Sequence, residues 1–163
     1  MKLQRFEGRK ITAYLTLKIK RANGRIENWI TNLHNDRVDD GADWMYKVLT
    51  VQLSTAGKYI AVSDTVQSIT KDMTTLPGEL SGNGLTRTAG TVSGYTVPSA
   101  LDGAASYQIS LTMIYTGATI QPVNSVAVFD SATIGKLVWI WNTDTTKNLS
   151  TSDQLVISLT VNL

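Results

Sequence analysis

The sequence predicts a mainly β protein, an antiparallel β-sandwich or jelly roll of about eight strands with one short helix. Charged residues make up only 17% of the chain, below the roughly 25% of an average soluble protein. Runs of β-branched and aromatic residues recur at short intervals between turn-forming residues, a pattern typical of sandwiches and barrels. A parallel α/β enzyme fold is disfavoured, because the pattern lacks the helices that must connect its strands.

The first strand is the clearest. Residues 10–20 alternate, with apolar side chains on one face, at Ile11, Ala13, Leu15, Leu17 and Ile19. This is the two-residue period of a half-buried strand. Asn23-Gly24 follows, the pair that most readily adopts the positive φ angles of a tight turn. We therefore predict a hairpin whose second strand runs from Arg25 to Leu33.

A helix is predicted from Val38 to Leu49, where apolar residues recur at three- and four-residue spacing. Aspartates cluster around its start, at positions Asp36, Asp39, Asp40 and Asp43. Carboxylates in a first turn oppose the positive end of the helix dipole. The same cluster does not match a calcium-binding EF-hand loop, which needs Asp at alternate positions, Gly at the sixth and Glu at the twelfth.

The rest of the chain reads as strands and turns. The predicted strands are Lys58–Ser63, Leu85–Val92, Ala105–Thr116, Ser125–Phe129, Lys136–Asn142 and Gln154–Leu163. Residues 144–153 have the composition of a loop. The loop from Asp64 to Gly84 is long for a compact domain, which makes it a candidate contact surface. The alternative is an unrecognised strand at Val66–Ile69.

These elements predict one domain. Residues 1–34 form a basic N-terminal arm and hairpin within it, and residues 35–163 form the helix and the sandwich body. The chain contains no apolar stretch of about 18–20 residues and no apolar signal-peptide core, so we expect no membrane contact and synthesis in the cytoplasm.

The residue types exclude most site chemistries. Zero cysteines rule out disulfides, thiolate metal sites and thiol nucleophiles. The single histidine, His34, lies in the predicted turn after the second strand, and Asp36 is a possible orienting partner, but no Gly-x-Ser-x-Gly elbow is present. Remaining acids stand singly in turns, at positions Glu79, Asp102, Asp130, Asp144 and Asp153. We therefore predict no catalytic, metal or cofactor site, and a protein that is not an enzyme.

Two features remain as candidate partner-binding sites. Trp139 and Trp141 share one face of a strand, where two rings can form a stacking platform. Both faces of that strand are apolar, so a doubly buried central strand is the simpler interpretation.

The second feature is the charge distribution. Residues 1–25 carry eight basic residues and one acidic residue, a net charge of +7, which leaves −5 for residues 26–163 of a chain whose total is +2. The leading bases proposed to bind a partner are Lys2, Arg5, Arg9 and Lys10. A basic segment on an acidic body suits an acidic protein surface. Nucleic acid is disfavoured because no reader motif is present, and the alternative to any binding role is a solvated strand face.

Five segments of the sequence are similar to parts of known proteins. The segments are GADWMYKVL, YIAVS, LPGELSGNGLTRTAGTV, VAVFDSATIGKLVWIW and NLSTSDQLVISLTVNL. Over about residues 40–163, the chain resembles small virion structural proteins of tailed bacteriophages. The resemblance implies a non-enzymatic capsid decoration (cement) protein on the capsid exterior. Its implied partners are the major capsid protein and further copies of itself, as a dimer or trimer.

Two functional hypotheses follow. In the first, the basic N-terminal segment docks on an acidic surface of the major capsid protein. In the second, a tail- or fibre-associated protein binds a host glycan or receptor through Trp139, Trp141 or the regions of Tyr59 and Tyr95.

Overall fold

The structure, a computed structural model, describes residues 12–34, 36–37, 57–96 and 106–162. It contains ten strands, in chain order β1 (Thr12–Lys20), β2 (Ile26–His34), β3 (Asp36–Arg37), β4 (Tyr59–Ser63), β5 (Thr88–Ala89), β6 (Thr91–Thr96), β7 (Ser106–Ile114), β8 (Gln121–Phe129), β9 (Leu137–Leu149) and β10 (Gln154–Asn162). The predicted helix, residues 38–49, lies outside the described residues. Within the described ranges, no helix is long and apolar enough to cross a membrane.

The strands form two five-stranded sheets. Sheet 1 has the order β2-β1-β10-β7-β6, and sheet 2 has the order β3-β9-β8-β4-β5. Every described strand pair is antiparallel, so the prediction of a mainly β, antiparallel protein is confirmed. The first and last described strands, β1 and β10, pair side by side along their whole length, from Thr12↔Asn162 to Lys20↔Gln154.

The predicted hairpin is confirmed. β1 pairs with β2 across a turn in which Gly24 has a φ of 86°, a value that costs glycine little because it has no Cβ. The alternation in β1 also holds, since Ala13, Leu15, Leu17 and Ile19 are fully buried. Removing each Leu or Ile side chain from water contributes about 1.5–3 kcal/mol.

One apolar core lies between the two sheets. Sheet 1 supplies residues such as Leu17 and Ile157, and sheet 2 supplies Val62, Val126 and Trp139. A second, smaller cluster lies on the opposite face of sheet 2, around Ala127 and Ile140. Sheet 2 is therefore buried on both faces, which explains its near-continuous apolar strands.

Three strand predictions need correction. The single strand predicted at Leu85–Val92 is wrong: the chain forms β5 in sheet 2, passes Gly90, and continues as β6 in sheet 1. β9 extends through Leu149, so most of the loop predicted at 144–153 is a strand. His34 is the last residue of β2 and does not lie in a turn.

Candidate functional site

The four basic residues predicted to bind a partner, Lys2, Arg5, Arg9 and Lys10, lie outside the described residues. They precede β1, which lies between β2 and β10 in sheet 1. The basic segment therefore joins the described body at the Thr12 end of sheet 1. Its role stays a prediction.

The two tryptophans do not form a surface platform. Trp139 and Trp141 are 0% and 1% exposed and belong to the core between the sheets. Strand β9 has a register shift in which Phe129 pairs with Leu137 while Val128 pairs with Trp139. Val138 is thus the extra residue of a bulge, and both indoles point into the core. The stacking-platform interpretation is wrong, and the core interpretation is confirmed.

The acidic residues that the structure describes have structural partners or stand alone. Asp130 Oδ1 accepts a 2.7 Å hydrogen bond from the Lys136 N–H and closes the β8–β9 turn. Asp36 lies in β3, while Asp39, Asp40, Asp43 and Asp102 fall outside the described residues. Within the described ranges, no group of three or more His, Cys, Asp or Glu side chains is arranged to hold a metal ion.

Asp153 and Arg21 join two turns. Arg21 Nη1 donates to Asp153 Oδ2 at 2.8 Å, and Nη2 donates to Glu27 Oε2 at 2.8 Å. The N–H groups of Ala22 and Ser150 also donate to the Asp153 carboxylate. Burial by itself would raise the pKa of Asp153, but these hydrogen bonds outweigh it and hold the pKa below its usual range.

The long loop after β4 is anchored to sheet 2. Its two ends meet at a bridge between Ser63 and Glu79, which makes it a compact loop of the Ω type. Gln67, 6% exposed, donates from Nε2 to the carbonyl oxygens of Thr65 and Pro77 at 2.8 and 2.9 Å. Asn142 of β9 exchanges two 2.8 Å hydrogen bonds with the Gln67 backbone.

Apolar side chains on the underside of this loop cover sheet 2. Leu76 is buried, and Ile69 and Met73 pack with it against Ala127 and Ile140. Residues 66–69 form no strand, so the alternative of an unrecognised strand is wrong. The loop is a cover for the second face of sheet 2, and only its upper surface is available to a partner.

A groove lies between this loop and the β8–β9 turn. It has a volume of about 440 Å³, and Leu76, Arg87 and Ile134 are among its lining residues. Arg87 donates two hydrogen bonds to Glu79, at 2.9 and 2.6 Å, and its guanidinium lies 3.5 Å from the centre of the Phe129 ring. Arg87 and Glu79, the charged lining residues of the groove, therefore neutralise each other.

Sheet 1 presents a broad polar face to the outside. We define the outer face as the fifteen outward residues of β1, β10 and β7, five on each strand. They are Thr12, Tyr14, Thr16, Lys18, Lys20, Gln154, Val156, Ser158, Thr160, Asn162, Ser106, Gln108, Ser110, Thr112 and Ile114. None of them carries a carboxylate.

The register places the hydroxyl groups of this face in rows. Thr16 pairs with Ser158, Ser158 with Ser110, and Ser110 with Thr91 of β6. Sequence reasoning missed this face because each strand contributes only an ordinary alternation of polar residues. Only the strand order brings these polar residues together on one surface.

His34 lies at one corner of the outer face. Its ring meets that of Tyr14 edge-on, at a centroid distance of 5.5 Å and an interplanar angle of 83°. Tyr14 in turn pairs with Thr160, whose other neighbour is Gln108. The single histidine thus belongs to a polar surface that also contains an aromatic ring.

Comparison with known proteins found no matching family model, curated protein or solved structure.

Proposed function

We propose that this chain is a non-enzymatic structural protein of a tailed-phage virion, a decoration protein that stabilises joints between major capsid protein subunits on the capsid exterior. The resemblance of residues 40–163 to small virion proteins motivates the proposal. The geometric observation that carries it is the outer face of sheet 1. An open sheet surface of this kind suits contact with another protein surface better than capture of a small substrate, which favours a concave pocket.

The outer face is large enough to form part of a protein interface. Three strands about 4.8 Å apart, and nine residues of about 3.3 Å rise, give a surface of about 14 by 30 Å. This area of about 430 Å² is about half of the 800 Å² per partner that a standard interface buries.

The arrangement of the two sheets as a sandwich is part of the same proposal. We take the two sheets and their shared core as a β-sandwich. Chain neighbours β1–β2, β6–β7 and β8–β9 pair within one sheet, which favours a sandwich built from hairpins over the paired Greek keys of a jelly roll.

The proposed attachment uses the basic segment before β1. This segment carries four basic residues and one acidic residue, within residues 1–25 whose net charge is +7 against −5 for the remainder. Its positive charge complements an acidic surface on the major capsid protein. The body then packs against further copies of itself, as a dimer or trimer.

The test uses purified heads of the encoding phage that lack this protein. Deleting residues 1–9, or replacing Arg5, Arg9 and Lys10 with Glu, is expected to abolish binding while circular dichroism stays unchanged. Electron microscopy of labelled protein is expected to place it on heads. Unchanged occupancy of the variants rules out the basic segment as the attachment, and labelling confined to tails rules out the decoration role.

A second candidate function is glycan binding by a tail- or fibre-associated protein. The observation that favours it is the Tyr14–His34 pair, which lies next to Thr160 of β10, with Gln108 in the same row on the following strand. A glycan array on the isolated protein tests this function. Loss of an array signal on Tyr14→Ala supports it, and a blank array for the wild type excludes it.

A further inference from the structure

One end of the outer face combines positive charge with exposed apolar side chains. Lys20 pairs with Ile26 on one side and with Gln154 on the other, and Gln154 pairs with Ile114. The adjacent row contains Lys18 and Val156. We call these five side chains the basic patch: Lys18, Lys20, Ile26, Ile114 and Val156.

Two apolar members of the patch are exposed. Ile26 is 62% exposed and Ile114 is 49% exposed, and each lies on a nine-residue strand. Exposed apolar residues scattered singly are ordinary, whereas a group rimmed by polar residues marks an interaction surface.

Among the described residues, no carboxylate pairs with the two lysines of the patch. Lys18 and Lys20 are exposed and form no ion pair with any described residue. The nearby carboxylates of Glu27 and Asp153 are both bound to Arg21. Arg25, with a side chain 72% exposed at the β1–β2 turn, lies 3.7 Å from Glu27 in an ion pair, so Lys18 and Lys20 carry the positive charge of the patch.

The surface next to the patch is suited to close contact. Ser110, Thr112 and Ser158 are short side chains that lose little rotamer freedom when covered. A partner therefore approaches the sheet with a small entropic cost for ordering this surface.

We infer that the basic patch is a docking site for an acidic protein surface that also presents apolar side chains. The occupant follows from charge complementarity and from Ile26 and Ile114, which suit an apolar protein contact better than a hydroxylated polysaccharide. The inference rests on the proposed function where it identifies that surface as part of the major capsid protein. It adds a second contact, on the folded body, to the basic N-terminal segment.

The experiment measures binding of the full-length protein to purified heads that lack it, at 50 and 300 mM salt. The variant Lys18→Glu/Lys20→Glu is expected to bind at least tenfold more weakly at low salt and to lose part of the salt dependence, because the charge of the N-terminal segment stays in place. Ile26→Thr/Ile114→Thr is expected to weaken binding severalfold with no change in salt dependence. Thermal unfolding checks that each variant is folded.

Matched controls lie elsewhere on the chain. Lys58→Glu/Lys71→Glu makes the same charge change around sheet 2 and its loop, and Ile120→Thr removes a 66% exposed isoleucine outside the patch. Both are expected to bind as the wild type does.

The outcomes separate the two proposals. A wild type that binds heads, together with patch variants that bind equally well, overturns this inference and leaves the proposed function standing. A wild type that binds no heads overturns the proposed function and the inference that rests on it. If the wild type binds alginate and Lys18→Glu/Lys20→Glu does not, the occupant of the patch is a polysaccharide. This outcome overturns the inference that the patch binds a protein surface.

Discussion

Asp153 accepts hydrogen bonds from Arg21, Ala22 and Ser150 in a turn where it is only 2% exposed. All three partners are donors, and both carboxylate oxygens are used. An Asn at this position must therefore aim its NH₂ group at another donor. The hydrogen bond of a charged group contributes about 1.5–3 kcal/mol, so we expect Asp153→Asn to lower the free energy of unfolding by about that amount. Urea denaturation measures it, and Asp144→Asn, at an exposed position of β9, serves as the neutral control.

The same residue gives the protein an acid sensitivity. The folded pKa of Asp153 lies below its unfolded value, which is about 3.9. The stabilisation is therefore present above about pH 4 and is lost as the pH falls through the folded pKa. The stability difference between wild type and Asp153→Asn is expected to shrink below pH 4 in urea titrations. A difference that stays constant from pH 7 to pH 3 contradicts the assignment.

Gly90 decides the path of one element. A Cβ at this position would lie 2.5 Å from Ile109 Cγ2 and 3.3 Å from Ile60 Cδ1, side chains of sheet 1 and sheet 2 respectively. Only a residue without a side chain lets the chain pass between the sheets here. Overpacking of a core costs about 1–3 kcal/mol, and we expect Gly90→Ala to destabilise by this amount.

Two further variants test that explanation in the same unfolding assay. Gly82→Ala meets no atom within 4 Å and is expected to be neutral. In an Ile109→Ala background the penalty of Gly90→Ala is expected to fall, because the clashing Cγ2 is gone. Additive effects of the two substitutions would indicate a different cause.

The loop over sheet 2 is a second element with a testable anchor. Gln67→Ala removes the side-chain bonds to the Thr65 and Pro77 carbonyls. We expect faster hydrogen exchange at residues 64–78, and a smaller effect on strands β8 and β9, because the loop opens locally. Ser68→Ala, at an exposed neighbouring position, is the control. Unchanged exchange in the loop would show that Leu76 and its apolar neighbours anchor it without Gln67.

For the whole molecule, we expect the long-range pairing of β1 with β10 to limit the folding rate. These strands come from opposite ends of the described chain and lie next to each other in sheet 1. Closing so large a loop precedes most of the stabilising contacts, so we expect refolding in milliseconds to seconds. Stopped-flow tryptophan fluorescence measures this rate through the buried Trp139 and Trp141, and refolding within microseconds would contradict it.

The local part of the fold was predictable and the arrangement of strands was not. The β1–β2 hairpin and the strand at Tyr59–Ser63 follow from alternation and turn residues, which act between chain neighbours. The break at Gly90 was missed because its cause is the position of Ile60 and Ile109, far away in sequence. The candidate site was missed for the same reason: Lys20, Gln154 and Ile114 form a row only through strand pairing.

The sequence by itself determined that this protein is built of antiparallel strands, that it lacks thiol chemistry, and that its positive charge is concentrated in the first 25 residues. These properties depend on residue type and short-range order. Only the tertiary structure decided that Trp139 and Trp141 are core residues, that the loop after β4 covers sheet 2, and that sheet 1 presents a face without carboxylates. Burial and surface composition depend on which distant segments pair, and that pairing is settled by the packing of both sheets against one core.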